Sequence, residues 1–167
     1  MNDFLSSTDS LYSKAIREAR RAYLYKNKKD CGDHFFNFCI TVHSLRDWTI
    51  KELGLNESDF HDRCNKVEYL RWCRDIANGS KHMTLKTPDK NSVTSIKSIN
   101  EERVALSLGS INPSRSEHPT VTINTKDGKE VDLLKFLFYS LEAWNDILKK
   151  SGLNGDENFG RFALEFV

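Results

Sequence analysis

Proline is scarce in this chain, with three residues in 167, and methionine is scarcer, with two. Such a proline content excludes a Pro-rich or collagen-like segment. An excess of either charge is missing too: 25 Lys and Arg face 24 Asp and Glu, a net charge of +1 with His neutral. That balance excludes a strongly basic nucleic-acid domain and an acidic tail. Long apolar runs are absent. The longest stretch free of Asp, Glu, Lys and Arg covers residues 34–45, only 12 residues, where a membrane span needs ~20 apolar ones. The start, Met1-Asn2-Asp3-Phe4, has no basic segment followed by an apolar one, so no secretory signal is expected. Internal repeats and low-complexity tracts are missing. There is no GxGxxG, P-loop, GxSxG or HExxH motif, and no cofactor is expected. The four cysteines, Cys31, Cys39, Cys64 and Cys73, form no CxxC pair. They read as reduced thiols, three of them in apolar-periodic stretches, and place the chain in the cytoplasm.

What is present is a globular composition: 11% aromatic and 29% charged residues. The length suits one domain with one core. The first half reads as helical. Thr8 or Asp9 caps a helix running to about Lys29, with Leu11, Ala15, Ala19, Ala22 and Tyr23 as its apolar stripe. Residues 30–33 read as a turn. A second helix covers about 34–53, its wide stripe built from Phe35, Phe38, Cys39, Val42 and Leu45, and Gly54 ends it. A third covers about 58–77, with Phe60, Cys64, Val67, Leu70, Cys73 and Ile76 inward and Asn78-Gly79 as a stop signal.

Residues 91–131 change period from helical spacing to alternation. Val104, Leu106 and Leu108 mark one strand, and Val121 and Ile123 another. Asn112-Pro113 lies between them, Lys126-Asp127-Gly128-Lys129 is a tight turn, and residues 92–99 offer a third strand. A last helix starts near Asp132 and ends at Gly152. The expected fold is mainly α: about a four-helix bundle with a small antiparallel β-meander inserted before the last long helix. It forms a single domain over 1–167, helical over 8–85, β over 91–131, and closed by residues 132–167.

The densest polar group runs from Arg71 to His82 and reads RWCRDIANGSKH. Its chemistry suits a phosphodiester. His82 can exchange protons near neutral pH. Arg74 or Lys81 can neutralise charge developing on phosphorus. Asn78 can hold a ribose hydroxyl or orient His82. The same residues also serve a plain helix end, with Asn78-Gly79 as its cap, Lys81 and His82 favoured by the dipole, and Asp75 paired to Arg71 one turn away.

A helical bundle carrying Arg, a polar residue directly after it and a His several residues on resembles the HEPN superfamily. Arg74, Asp75 and His82 match that pattern in residue type. Seven residues lie between Arg74 and His82, where the family usually has four to six. The resemblance covers about residues 8–85. It implies an RNA-directed protein. Many members are metal-independent ribonucleases of toxin or phage-defence systems, and others are non-catalytic nucleotide- or RNA-binding modules. It further implies RNA cleavage through the 2′-hydroxyl, with His82 as acid or base, Arg74 on the phosphate, Asp75 or Asn78 positioning them, no metal, and two motifs meeting in a dimer.

A second basic region lies on the first helix: Lys14, Arg17, Arg20, Arg21, Lys26, Lys28 and Lys29, interleaved with Tyr12, Tyr23 and Tyr25. Arg17 and Arg21, with Arg71 and Lys81, are candidate RNA contacts; a solvated helix face is the plain alternative. No metal site is expected. His34 and His43 are nine residues apart, which turns them to opposite sides of a helix, and His43 reads as a buried, hydrogen-bonded residue. Cys31 and His34 have the spacing of a nucleophile and base, but a surface turn explains them equally. Phe159, Phe162 and Phe166 are too apolar for a free tail. They dock on the domain itself, or on a protein partner or a second copy. The alternative to an RNA-directed protein is therefore a non-enzymatic interaction or dimerisation module.

Overall fold

Helix α1 spans Thr8–Leu24 and is capped one residue earlier than expected. Ser7 accepts from the Ser10 amide and Ser10 returns a bond to the Ser7 amide, a reciprocal capping box. Thr8 is thereby helical, and its amide donates to the Glu52 carboxylate at 2.6 Å. The computed structural model describes residues 5–82, 92–105, 114–154 and 159, with the side chains of Lys81, His82 and Ala105 left out.

The expected turn at residues 30–33 is helical instead. Helix α2 spans Lys28–Leu53, with Asn27 as its cap and Gly54 in the left-handed conformation (φ 63°) closing it. Asp30 acts as the acid that favours a first helical turn. Cys31, taken for a surface residue, is buried beneath Pro119.

The expected third helix is two. Helix α3 spans Glu57–Lys66 and α4 spans Glu68–His82. Val67 between them is extended (φ −85°, ψ 116°). Its carbonyl starts α4 by accepting from the Arg71 amide at 3.0 Å. Helix α4 runs through Asn78-Gly79, so that pair does not end it. Gly79 and Ser80 instead line a cavity of about 230 Å³ shared with Phe36 and the start of the first strand.

Strand β1 spans Val93–Ala105, β2 spans Ser114–Thr125 and β3 spans Glu130–Asp132. The sheet is antiparallel in the order β1-β2-β3, with Ile96 opposite Ile123 and Ile123 opposite Val131. The two strands read around residues 92–99 and Val104 are thus one long strand, and the third comes from the residues after the Gly128 turn. Val121 and Ile123 face inward as expected, whereas Val104 is 55% exposed. It pairs with Arg115 in the half of the hairpin where the β2 residues 114–117 are exposed too. Leu106, Leu108 and Asn112-Pro113 lie outside the described residues.

Helix α5 spans Leu133–Lys150, capped by Asp132, whose carboxylate accepts from the Lys135 amide. The chain is thus mainly helical, with five helices and one small antiparallel sheet among the described residues. Helix α1 packs on α2, α2 on α4, α4 on α5 and α5 on α1, while α3 sits against α2 and α4. Tyr12, Phe35, Phe38, Trp72, Phe136, Leu141 and Trp144 fill the space between them. Each such side chain contributes roughly 1.5–3 kcal/mol on burial. The Tyr12 hydroxyl donates to the Leu141 carbonyl at 2.9 Å and ties α1 to α5.

Candidate functional site

The polar residues of α4 meet a partner on α3 that sequence reading did not single out. Asn65 Oδ1 accepts from Arg46 Nη1 at 2.7 Å and from Arg74 Nη1 at 3.0 Å, and the Asn65 carbonyl accepts from Arg71 Nη1 at 3.3 Å. Three guanidinium groups from α2 and α4 therefore converge on one neutral residue, two on its side chain and one on its main-chain carbonyl. The break at Val67 lets this happen, because it turns the end of α3 toward α4.

Arg46 is the buried member, 1% exposed, and also donates to the Leu70 carbonyl at 2.9 Å. Burial pulls its guanidinium below the usual range, and Arg74 nearby pulls in the same direction. No carboxylate pairs with Arg46 among the described residues. The cluster's one carboxylate, Asp75, is engaged elsewhere. Its Oδ1 accepts from Arg74 Nε at 3.0 Å and Nη2 at 2.7 Å. Its Oδ2 accepts from the Ser92 amide at 2.7 Å and the Ser92 hydroxyl at 2.6 Å. Asp75 is 3% exposed, whereas the Arg74 side chain keeps 27% of its surface in solvent. Arg74 is thus a partly exposed cation held by a buried carboxylate and an amide. The simple pairing of Asp75 with Arg71 does not occur, because Arg71 turns to α3.

Asn78 is half-buried on α4, one turn beyond Arg74. The backbone of α4 continues regularly to Lys81 and His82, whose side chains lie outside the described residues. An eight-residue step on a continuous helix is a rise of ~12 Å and an offset of ~80°. No chain reversal at Asn78-Gly79 brings His82 back toward Arg74.

The second basic region sits elsewhere. Arg17, Arg20, Arg21 and Lys26 line a groove on the outer side of α1 with Leu24 and Tyr25. Arg103 on β1 reaches this end of α1: its guanidinium lies 3.7 Å from the centre of the Tyr23 ring and donates to the Tyr23 carbonyl at 2.5 Å. Ser92, at the other end of the same strand, holds Asp75. Eleven strand residues span ~36 Å, so the α1 basic face and the Arg71–Arg74 cluster are at opposite ends of β1 and do not form one continuous surface.

The remaining candidates have structural partners. His34 Nδ1 lies 2.7 Å from the buried Glu18 carboxylate. His61 lies 3.8 Å from Asp47 and 3.7 Å from Glu57. His43 is half-buried on α2. No group of three His, Cys, Asp or Glu is placed to hold a metal among the described residues. All four cysteines are free and buried, and burial pushes the Cys31, Cys39 and Cys64 thiols up, which suits core packing. Phe159 docks on the fold itself, its ring 5.4 Å from that of Phe138 on α5. Phe162 and Phe166 lie outside the described residues. No helix among the described residues is long and apolar enough to cross a membrane.

Of the residues sequence reading missed, Arg46 carried a signal. It occupies the inward spacing of Val42 and Thr49, so a charge there required a buried partner. Asn65 and Ser92 carried none, being ordinary polar residues outside the inward pattern. No family model, no curated protein and no solved structure matches the chain.

Proposed function

We propose that this chain is an RNA-directed protein of HEPN-like character, with a metal-independent ribonuclease centre on α4. One observation carries the reading: the Arg74 guanidinium is fixed by buried Asp75 and by Asn65 while 27% of the side chain stays in solvent. A preorganised cation of that kind stabilises charge developing on a phosphate without reorganising. In this reading Asp75 is a positioning residue, Arg74 binds the phosphate, and Asn78 and Lys81 contact the ribose and backbone. His82 moves the proton between the 2′-hydroxyl and the leaving oxygen. The offset along α4 separates Arg74 from His82 within one chain, so the centre is completed when two α4 helices face each other in a homodimer. Helices α1, α2, α4 and α5 form the four-helix bundle that supports it. Arg71, Arg17 and Arg21 are further RNA contacts.

The test is cleavage of an unstructured RNA by wild type, Arg74→Ala and His82→Ala, with thermal melting of each variant. Loss of cleavage in His82→Ala at unchanged melting temperature, and in Arg74→Ala while that variant is still folded at the assay temperature, supports the centre. A variant that cleaves as wild type does removes its residue from it.

A second reading, a non-enzymatic interaction module, draws on β1. Among the described residues that strand pairs only with β2, and Ile99 and Val104 on it are 45% and 55% exposed. An open strand edge can accept a strand from a partner or a second copy. Light scattering across a concentration series tests the dimer: a protein monomeric at every concentration removes the two-chain ribonuclease centre and leaves the strand edge for a different partner.

A further inference from the structure

The groove on α1 has an amphipathic lining that the α4 centre does not use. It measures about 560 Å³ between Arg17, Arg20, Arg21, Leu24, Tyr25 and Lys26, with four cations and, among the described residues, no carboxylate in the lining. Leu24 and Tyr25 are 53% and 40% exposed among them. The walls are held in place. Buried Glu18 accepts from Arg21 Nη1 at 2.9 Å and lies 2.7 Å from His34 Nδ1, and the His34 ring backs the Tyr25 ring at 4.8 Å between centroids. Fixing an exposed aromatic ring and an arginine before binding lowers the ordering cost of a ligand.

Charge at the adjoining helix start points the same way. Lys28 and Lys29 occupy the first turn of α2, where the helix dipole disfavours cations and only Asp30 opposes them. Cations kept there at a cost to stability add to the positive potential beside the groove.

A ligand matching this lining carries regularly spaced negative charge and flat apolar groups. We propose that the groove binds single-stranded RNA, with phosphates on Arg17, Arg20 and Lys26 and one base stacked on Tyr25. Glu18 and His34 position Arg21 and Tyr25. The proposal rests on the RNA-directed reading, but it places strand capture at the far end of β1 from Arg74. A duplex hides its base faces, so stacking on Tyr25 selects single strands.

The experiment is fluorescence anisotropy with a labelled short oligouridylate and with a duplex RNA of equal length. Tyr25→Ala is expected to weaken single-strand binding about tenfold and leave duplex binding unchanged, with Tyr25→Trp restoring it. His34→Ala is expected to weaken single-strand binding in the same selective way. Arg17→Glu and Lys26→Glu weaken both, and Lys97→Glu on β1 weakens neither. Wild type that binds RNA while Tyr25→Ala and Arg17→Glu bind equally well overturns the groove and leaves the RNA-directed reading standing. Wild type that binds no RNA overturns both. Binding to phosphatidylglycerol vesicles in place of RNA, lost in Arg17→Glu, also overturns the proposal and assigns the groove to a membrane surface.

Discussion

Asp75 and Ser92 are bound twice, the carboxylate Oδ2 accepting the Ser92 amide at 2.7 Å and the Ser92 hydroxyl at 2.6 Å. The contact joins the middle of α4 to the start of β1. With Arg74 on its other oxygen, Asp75 is the single carboxylate through which the α4 cation and the sheet are connected.

Asp75→Asn should therefore lower stability by about 2–3 kcal/mol. That is below the full cost of breaking a buried pair, because Arg74 is partly solvated. Chemical denaturation measures it. Ser92→Ala removes only the hydroxyl bond and should cost about 1 kcal/mol. Equal, negligible effects from both substitutions would show that the carboxylate is not a structural tie.

Asn65 is the second tie, and its removal should cost more than its polarity implies. Asn65→Leu leaves Arg46 and Arg74 without their shared acceptor, and Arg46 is buried. The expected loss is about 2–4 kcal/mol. Combining it with Arg46→Met should recover part of that loss, because the stranded cation is then gone. A purely additive double mutant would contradict the convergence on Asn65.

Stability should fall at alkaline pH. Burial raises the Cys31, Cys39 and Cys64 thiols above their ordinary value, so the folded state holds these protons where the unfolded chain releases them. Their contribution is fully present below about pH 8.5 and is lost as pH rises toward the folded values. Lys14 works in the opposite direction, because burial lowers its value and the unfolded chain then binds the extra proton. Arg46 is lowered by burial as well, while burial raises Tyr69 in the direction of the thiols. Melting at about pH 7 and about pH 9.5 should show the drop, and Cys64→Ala should make it shallower. A flat profile would contradict it.

Much of this arrangement was legible before the structure. The inward spacing of Leu11, Phe35, Phe38, Leu70 and Cys73 reports packing directly, because 3.6-residue periodicity and burial are one constraint. The break at Val67 was not legible. Neither Gly nor Pro stands there, and Cys64, Val67 and Leu70 keep helical spacing across it. What accompanies the break is tertiary, the meeting of Asn65 with three arginines from α2 and α4. Asn78-Gly79 misled for the converse reason: a good stop signal is overridden where Gly79 lies close to β1. Of the site, Arg74 and Asp75 were legible as a pair of residues, but the partners that orient them come from α2, α3 and β1, far off in sequence.

The ribonuclease centre on α4 is tested most directly by incubating the purified protein with an unstructured RNA in EDTA and analysing the fragment ends. Cleavage through the 2′-hydroxyl yields 2′,3′-cyclic phosphate ends with wild type. Arg74→Ala and His82→Ala should yield none; His82→Ala should melt at the wild-type temperature, while Arg74→Ala, which leaves the buried Asp75 carboxylate without its cation, should melt lower yet stay folded at the assay temperature. Intact RNA with wild type, or the same fragments from His82→Ala, would contradict the centre.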